Sequence, residues 1–304
     1  MITIQYLKQH EIDKVKWDQC IGNAGNGLVY AYSFYLDAMS KNWDALITGD
    51  YEQIMPLTWN RKYGISYLYQ PPFCAQLGVF GNNISKEIVL SSLENIPKKF
   101  KYWDFYLNKE NLFPFEEYPM YERSNFVLPL NKSYEILSKN YAQSHSRNIK
   151  RALKQENYVI KDIPLEDVIA LANVQFQKFS NLSDIDYTNF SKAFSKLKSQ
   201  DKACTYGVFS KRNRLMASCA FIFSHGRAYY ILVGNHPDGR TSGASHLMID
   251  HFIKEYAGQD FLLDFEGSSI SSLAFFYKSF GATLEKFPGI KVNRLSRLTK
   301  LFRQ

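Results

Sequence analysis

The order of periodicities in the second half of the chain limits its fold more than any other feature. Three strand-like runs follow one another at 205–209, 216–224 and 227–233. The breaks between them, Arg212-Asn213-Arg214 and His225-Gly226, read as tight turns. Helical spacing then takes over at about 243–257, a strand returns at 261–265, and a short helix follows at 271–280. An antiparallel meander feeding a strand–helix–strand–helix unit predicts an α/β fold, an α+β arrangement on a sheet of mixed direction.

The segment before the meander is helical, with stretches at 134–156, 165–179 and 188–198. The first part of the chain holds a shorter version of the same content. A helix at 33–39 has Ser33 as its expected N-cap. A hairpin joins 45–48 to 53–57 through Gly49-Asp50, and a strand at 67–69 is stopped by Pro71-Pro72. A helix at 85–95 and a strand at 102–107 follow. The pattern changes near 128–132, which suggests a duplicated architecture with domains at 1–130 and 131–304.

Charge narrows the function classes. The net charge is +8, from 37 Lys+Arg and 29 Asp+Glu. Residues 139–154 hold five basic residues and no acid, and residues 286–304 hold six and no acid. Those eleven exceed the whole net charge, so the basicity is local, as for an anion-binding site or a surface that meets anions. The four cysteines, Cys20, Cys74, Cys204 and Cys219, form no CxxC pair and read as reduced core residues. The six histidines show no metal-ligand spacing, and His246 and His251 lie five apart, off a shared helical face. No metal is expected. The N-terminus does not read as a signal peptide and no apolar run is long enough to span a bilayer, so a cytoplasmic location is expected.

Five segments can carry chemistry. Between a strand and a helix, 235–245 is rich in small residues and holds Arg240, Gly243, Ala244 and Ser245. Amides at a helix N-terminus bind phosphate or carboxylate. The run Leu263-Asp264-Phe265-Glu266-Gly267-Ser268 ends a strand, where ligands gather in open α/β sheets. Strand alternation points Asp264 and Glu266 to one face, where one of them can act as a general base. Tyr277 lies beside the apolar face of the last helix, with Gly281 as its expected cap. Arg147/Arg151 and Lys150/Lys154 are i,i+4 like-charge pairs, each costing a helix about 0.2–0.5 kcal/mol. An anionic ligand or a solvated face accounts for them. Finally, 294–303 reads as a basic amphipathic helix that docks on the domain or lies on an anionic membrane surface.

Taken together these segments resemble the GNAT acyltransferase superfamily. The order is strand, Arg240-x-x-Gly243-x-Ser245, helix, strand, then a helix ending in Tyr277-x-x-x-Gly281. Within it, Ser144-x-x-Arg147-Asn148-Ile149-Lys150-Arg151-Ala152 and Asp264-Phe265-Glu266-Gly267-Ser268 are similar to segments of the FemAB-like branch. Ser245 stands where the superfamily usually has Gly or Ala.

The resemblance implies two tandem GNAT-like domains, the second carrying the site, and a bacterial, FemAB-like acyltransferase. It implies acyl transfer from acetyl-CoA or another acyl-CoA to an amine, with aminoacyl-tRNA as the alternative donor and a cell-wall precursor as the alternative acceptor. A non-catalytic anion- or RNA-binding module is the remaining reading. Arg240, Gly243, Ala244 and Ser245 would cradle the CoA pyrophosphate, and main-chain donors near Leu232 and Val233 would polarise the acyl carbonyl. Glu266 or Asp264 would take the amine proton and Tyr277 would protonate the leaving group. Arg147, Lys150, Arg151 and Lys154 would bind phosphates. The expected partners are a small-molecule or lipid-linked amine acceptor, tRNA, and a membrane surface met by the C-terminal basic helix.

Overall fold

A computed structural model describes residues 3–176, 182–267 and 270–295 of the chain. Its described residues form two compact units, Met1–Arg123 with Lys286–Gln304, and Ser124–Glu285. The chain passes from one to the other at Arg123–Ser124 and returns at Glu285–Lys286.

In the first unit, β1 (Ile4–Leu7), β2 (Asn42–Thr48), β3 (Gln53–Lys62) and β4 (Ile65–Tyr69) pair antiparallel in sequence order. The short β5 (Phe80–Gly81) adds to β3. Next, β6 (Phe100–Tyr106) pairs parallel with β4, and Gly289–Asn293 pair antiparallel with β6. Helices α1 (Lys14–Asn23), α2 (Ser33–Met39) and α3 (Lys86–Glu94) belong to this unit. The hairpin follows the expected register, with Ala45 opposite Pro56 and Thr48 opposite Gln53. Helix α3 starts where Ser85 accepts the Ile88 N–H. Helix α2 has its expected span, but Tyr32 is its N-cap and the Ser33 hydroxyl binds Asp18.

The second unit repeats the strand pattern. Here β7 (Met120–Pro129) and β13 (Thr283–Asn293) are the two strands shared by the chain's crossings. Strands β8 (Tyr158–Lys161), β9 (Ala203–Phe209), β10 (Leu215–Ser224) and β11 (Arg227–Asn235) form an antiparallel meander. Strand β12 (Leu262–Asp264) then pairs parallel with β11, and β7 pairs antiparallel with β12. The sheet is thus mixed in direction, as the sequence predicts. Its helices are α4 (Tyr134–Lys139), α5 (Gln143–Lys154), α6 (Leu165–Phe176), α7 (Asp184–Lys198), α8 (Pro237–Ser242), α9 (Ala244–Tyr256) and α10 (Ser271–Lys278).

Alternate residues of the meander feed opposite faces. Tyr206, Cys219, Phe221 and Tyr230 meet Met248 and Phe252 of α9 in one core, where the Phe221 and Phe252 rings stack at 3.9 Å. On the other face α6 presses on Gly234, where a Cβ would come within 2.6 Å of the Ala172 amide nitrogen.

Two local expectations change, and one further element comes into view. The stretch 134–156 divides into α4 and α5, because Ala142 takes an extended conformation and gives its N–H to the Ser279 carbonyl at 2.8 Å. The segment 235–245 is not an open loop, since Pro237–Ser242 wind into α8 with Pro237 in its first turn. The segment after 282 is a strand, and Pro288-Gly289 hide its period of two. That strand gives the units bounds different from 1–130 and 131–304. The expected basic helix at 294–303 lies, from 296 onward, outside the described residues. Arg294 itself stacks on Trp103 at 4.5 Å. Among the described residues no helix is long and apolar enough to cross a membrane, and no three potential metal ligands gather.

Candidate functional site in the second unit

The site grows from an inequality between two parallel strands. Strand β12 pairs with β11 only over Arg227–Tyr229 and ends at Asp264. Strand β11 runs on to Asn235. Beyond Tyr229, no strand among the described residues pairs with that side of β11. Opposite the gap the ladder to β10 slips, since Ala220 faces Leu232 while Phe221 faces Tyr230. Ile231 is therefore a bulge, and bulges bend a strand and re-aim its backbone groups. Leu232 and Val233 follow it directly and stay opposite Ala220 and Cys219 of β10, so alternation of the backbone turns the N–H of one of the two expected donors toward the side that β12 leaves.

The two acids do not share one strand face. Asp264 is 2% exposed and fully engaged. It accepts from Arg227 at 2.7 Å, from Asn125 at 2.9 Å and from the Glu266 N–H at 2.9 Å. Arg227 also clamps Glu285 through both of its terminal nitrogens, at 3.0 and 2.9 Å. With both Asp264 oxygens taken by three donors inside a buried ion pair, the geometry of this carboxylate fits positioning and not base catalysis. Glu266 lies past the strand end in a left-handed conformation, φ +63°, and Gly267 follows at φ +84°. The hydrogen bond to Asp264 holds that turn and sets Glu266 apart from the buried pair, half-buried.

Tyr277 is core as well as candidate. It stacks on Phe265 at 4.5 Å and is 7% exposed. Burial raises its phenol pKa, and the nearby Glu266 carboxylate adds to the rise. The hydroxyl therefore stays protonated through neutral pH, as a proton donor requires. Ser268 lies outside the described residues.

The expected phosphate cradle is crowded. Gly243, φ +83°, is at once the C-cap of α8 and the N-cap of α9. A Cβ there would come 2.4 Å from the Asn148 carbonyl oxygen of α5, so α5 is packed against the start of α9. Ala244 is fully buried, and the Ser245 hydroxyl donates to Asn235. Arg240 is exposed at the last turn of α8 and joins no ion pair among the described residues. The open amide nest expected of 235–245 is thus replaced by a helix–helix joint.

The outer face of α5 is open. Arg147, Lys150, Arg151 and Lys154 are all exposed, and none forms an ion pair among the described residues. Arg151 instead donates to the Asn148 side chain, whose amide nitrogen faces Nε2 of His246 at 3.0 Å. That contact links the basic face to the first turn of α9.

The histidines that show no pattern in sequence meet here. The His145 and His246 rings lie 4.4 Å apart, edge to face, beside Phe276 and Phe280. Burial lowers the pKa of His145, and burial, His145 and Arg151 push that of His246 down to about 3. Arg227, Asn125 and this pair escaped sequence reasoning because their partners lie dozens of residues away.

No family model and no curated protein matches the sequence. Solved structures do. FemX superposes with a TM-score of 0.64 at 14% identity, over 99% of this chain and 100% of that one. The chain has a FemX-like fold. The C-terminal domain of a protein assigned as a lysylphosphatidylglycerol synthetase from Agrobacterium fabrum matches with a TM-score of 0.57 at 8% identity, covering 95% of this chain and 94% of that one. A conserved protein of unknown function from Bacteroides thetaiotaomicron matches with a TM-score of 0.56 at 12% identity, covering 95% and 99%. At such identities the likeness concerns the fold alone, and the chemistry must be argued from the site.

Proposed function

We propose that this chain is an acyl transferase that passes an activated acyl group to an amine, with an aminoacyl-tRNA as the donor. The observation that carries the reading is the side of β11 beyond Tyr229, bulged at Ile231 and, among the described residues, without a parallel strand where β12 stops. Backbone N–H groups fixed at such an edge can accept the developing oxyanion without reorganising. The amine attacks the ester carbonyl, its proton passes to Glu266, the acyl–oxygen bond breaks, and Tyr277 gives its proton to the leaving ribose oxygen. Asp264 and Arg227 hold the Glu266 turn in place.

The crowded α8–α9 joint supports a carrier other than CoA. The Asn148 carbonyl lies close against Gly243, where a pyrophosphate would have to approach the turn. The open basic face of α5 instead suits a ligand with many phosphates spread along a chain. The Arg240-x-x-Gly243-x-Ser245 spacing is the feature that favours acyl-CoA, and the test weighs it directly.

Binding of aminoacylated and deacylated tRNA is measured against salt, with acetyl-CoA compared by thermal shift. The expected result is a tRNA affinity whose logarithm falls linearly with log salt, weakened by Arg147→Glu with Arg151→Glu. A melting temperature raised several degrees by acetyl-CoA, with no tRNA binding, would move the reading to a CoA ester. Glu266→Gln is expected to slow transfer by about 10²–10⁴-fold. Normal turnover in the Glu266→Gln variant would remove Glu266 as the base.

A further inference from the structure

The first unit, to which the transfer reaction assigns no role, carries a cation that has no counter-ion among the described residues. Arg123, near the start of β7, is half-buried. Its guanidinium carbon lies 4.1 Å from the centre of the Tyr106 ring, closer than Arg294 lies to Trp103 at 4.5 Å. Its Nε is sealed from solvent with no acceptor, and no carboxylate pairs with the group among the described residues. Three other arginines have claimed partners. Arg227 holds two carboxylates, Arg214 binds Asp238 at 2.9 Å, and Arg61 gives a hydrogen bond to the Gly64 carbonyl.

The surroundings are built to hold this platform still. The Tyr106 amide donates to Gln70 at 2.9 Å, and its ring meets Phe287 edge to face at 6.2 Å. Tyr121, two residues before Arg123 and so on the same strand face, lies across Gly289, where a Cβ would come 2.5 Å from the ring. Tyr121 is 37% exposed. The acids close in sequence or space are already engaged. Asp104 takes Tyr102 at 2.8 Å, Lys291 at 3.1 Å and Tyr121 at 3.4 Å, while Glu122 pairs with Lys286 at 2.7 Å.

A guanidinium partly withdrawn from water, with its face on an aromatic ring and its N–H fork unclaimed, has unmet hydrogen-bonding capacity. Planar forks of this kind suit carboxylate and phosphoryl oxygens, which take two N–H bonds at once. Aromatic rings beside such a fork suit the apolar face of a sugar or the plane of a base.

We propose that Arg123, seated on Tyr106 beside Tyr121, is an oxyanion-binding subsite of the first unit. It takes a carboxylate or phosphoryl group, and Tyr121 supplies a surface for the ring attached to it. The proposal stands whether or not the second unit transfers acyl groups.

The test follows the Nε–H signal of Arg123 by ¹H–¹⁵N NMR of the whole wild-type chain, assigned through Arg123→Lys. Acetate, inorganic phosphate and ribose 5-phosphate are titrated separately at constant ionic strength. A saturable shift of that signal is the expected result, and isothermal titration should show the affinity falling roughly tenfold or more in Arg123→Gln. Arg123→Lys keeps a charge without the fork and should retain part of the phosphate binding. The source is read from the ligands. Tighter binding of ribose 5-phosphate than of phosphate, lost in Tyr121→Ala, assigns a ring-bearing ligand. Equal binding assigns a bare oxyanion. The proposal is overturned if none of the three moves the signal, or if Arg123→Gln, folded by its melting curve, binds as the wild type does.

Discussion

The two units share a strand pattern and part company at one place. Each has an antiparallel meander, then a parallel strand, then an antiparallel one. In the first unit the parallel pair is matched. Strand β4 stops at Tyr69, opposite Asp104, with Pro71-Pro72 behind it. In the second the pair is unmatched, and β11 outruns β12 by the six residues Tyr230–Asn235. The first unit fills the connection from β4 to β6 with β5 and the short α3, while the second places α8 and α9 there. The same order of strand pairings thus ends in a matched parallel pair in one unit and in a bulged strand that outruns its parallel neighbour in the other. Strand length at a single position, not a change of fold, separates them.

The treatment of charge follows the same division. Arg227, Asp264 and Glu285 have side chains only 7%, 3% and 12% exposed, while Lys291 and Asp104 of the first unit stand at 54% and 33%. Removing one partner of a buried pair leaves an uncompensated charge. Arg227→Ala should therefore cost about 3–5 kcal/mol of unfolding free energy in a urea melt. A loss below about 1 kcal/mol, the range of a surface pair, would mean that the Glu266 turn is held by something else, and the contrast between the units would shrink.

Gly243→Ala comes next. It combines a left-handed backbone, costing about 1–2 kcal/mol, with a clash against the Asn148 carbonyl. Gly64 in the first unit has a similar φ, +78°, but nothing within 4 Å of its Cβ, so Gly64→Ala should show the backbone cost alone. Equal melting temperatures for the two variants would show that α5 yields easily and that the joint can open.

Acid should act mainly on the second unit. The folded-state pKa of His246 lies below its ordinary value, so the unfolded chain binds more protons between about pH 6.5 and 3. Stability should be full above the unfolded value and fall as pH drops through that window. The loss is on the order of 2 kcal/mol at pH 5 from this group, with His145 shifted in the same direction. His246→Phe should flatten the pH dependence of the melting temperature; an unchanged slope would assign the acid sensitivity elsewhere.

The smallest effect is expected from Lys291→Ala. Its pair with Asp104 lies at the surface, where such contacts contribute about 0–1 kcal/mol. A larger loss would mean that the Asp104 cluster supports the Arg123 platform structurally.

Local pattern determined much of this molecule. The turn residues at 212–214 and 225–226 set the meander, and Ser85 and Gly49-Asp50 set a helix start and a hairpin, because each acts through neighbours a few residues away. The helical and strand periods around 243–265 likewise sufficed for the fold class. The long-range pairings did not show. Nothing near Asp264 in sequence announces Arg227 or Asn125, and the alternation that puts Asp264 and Glu266 on one face fails because β12 ends between them. Gly243 reads as a phosphate-loop glycine until α5 is seen against it. Residue types and their spacing carried the list of candidates. Only the tertiary structure decided which were already engaged, because burial and hydrogen-bond partners are properties of segments far apart in the chain.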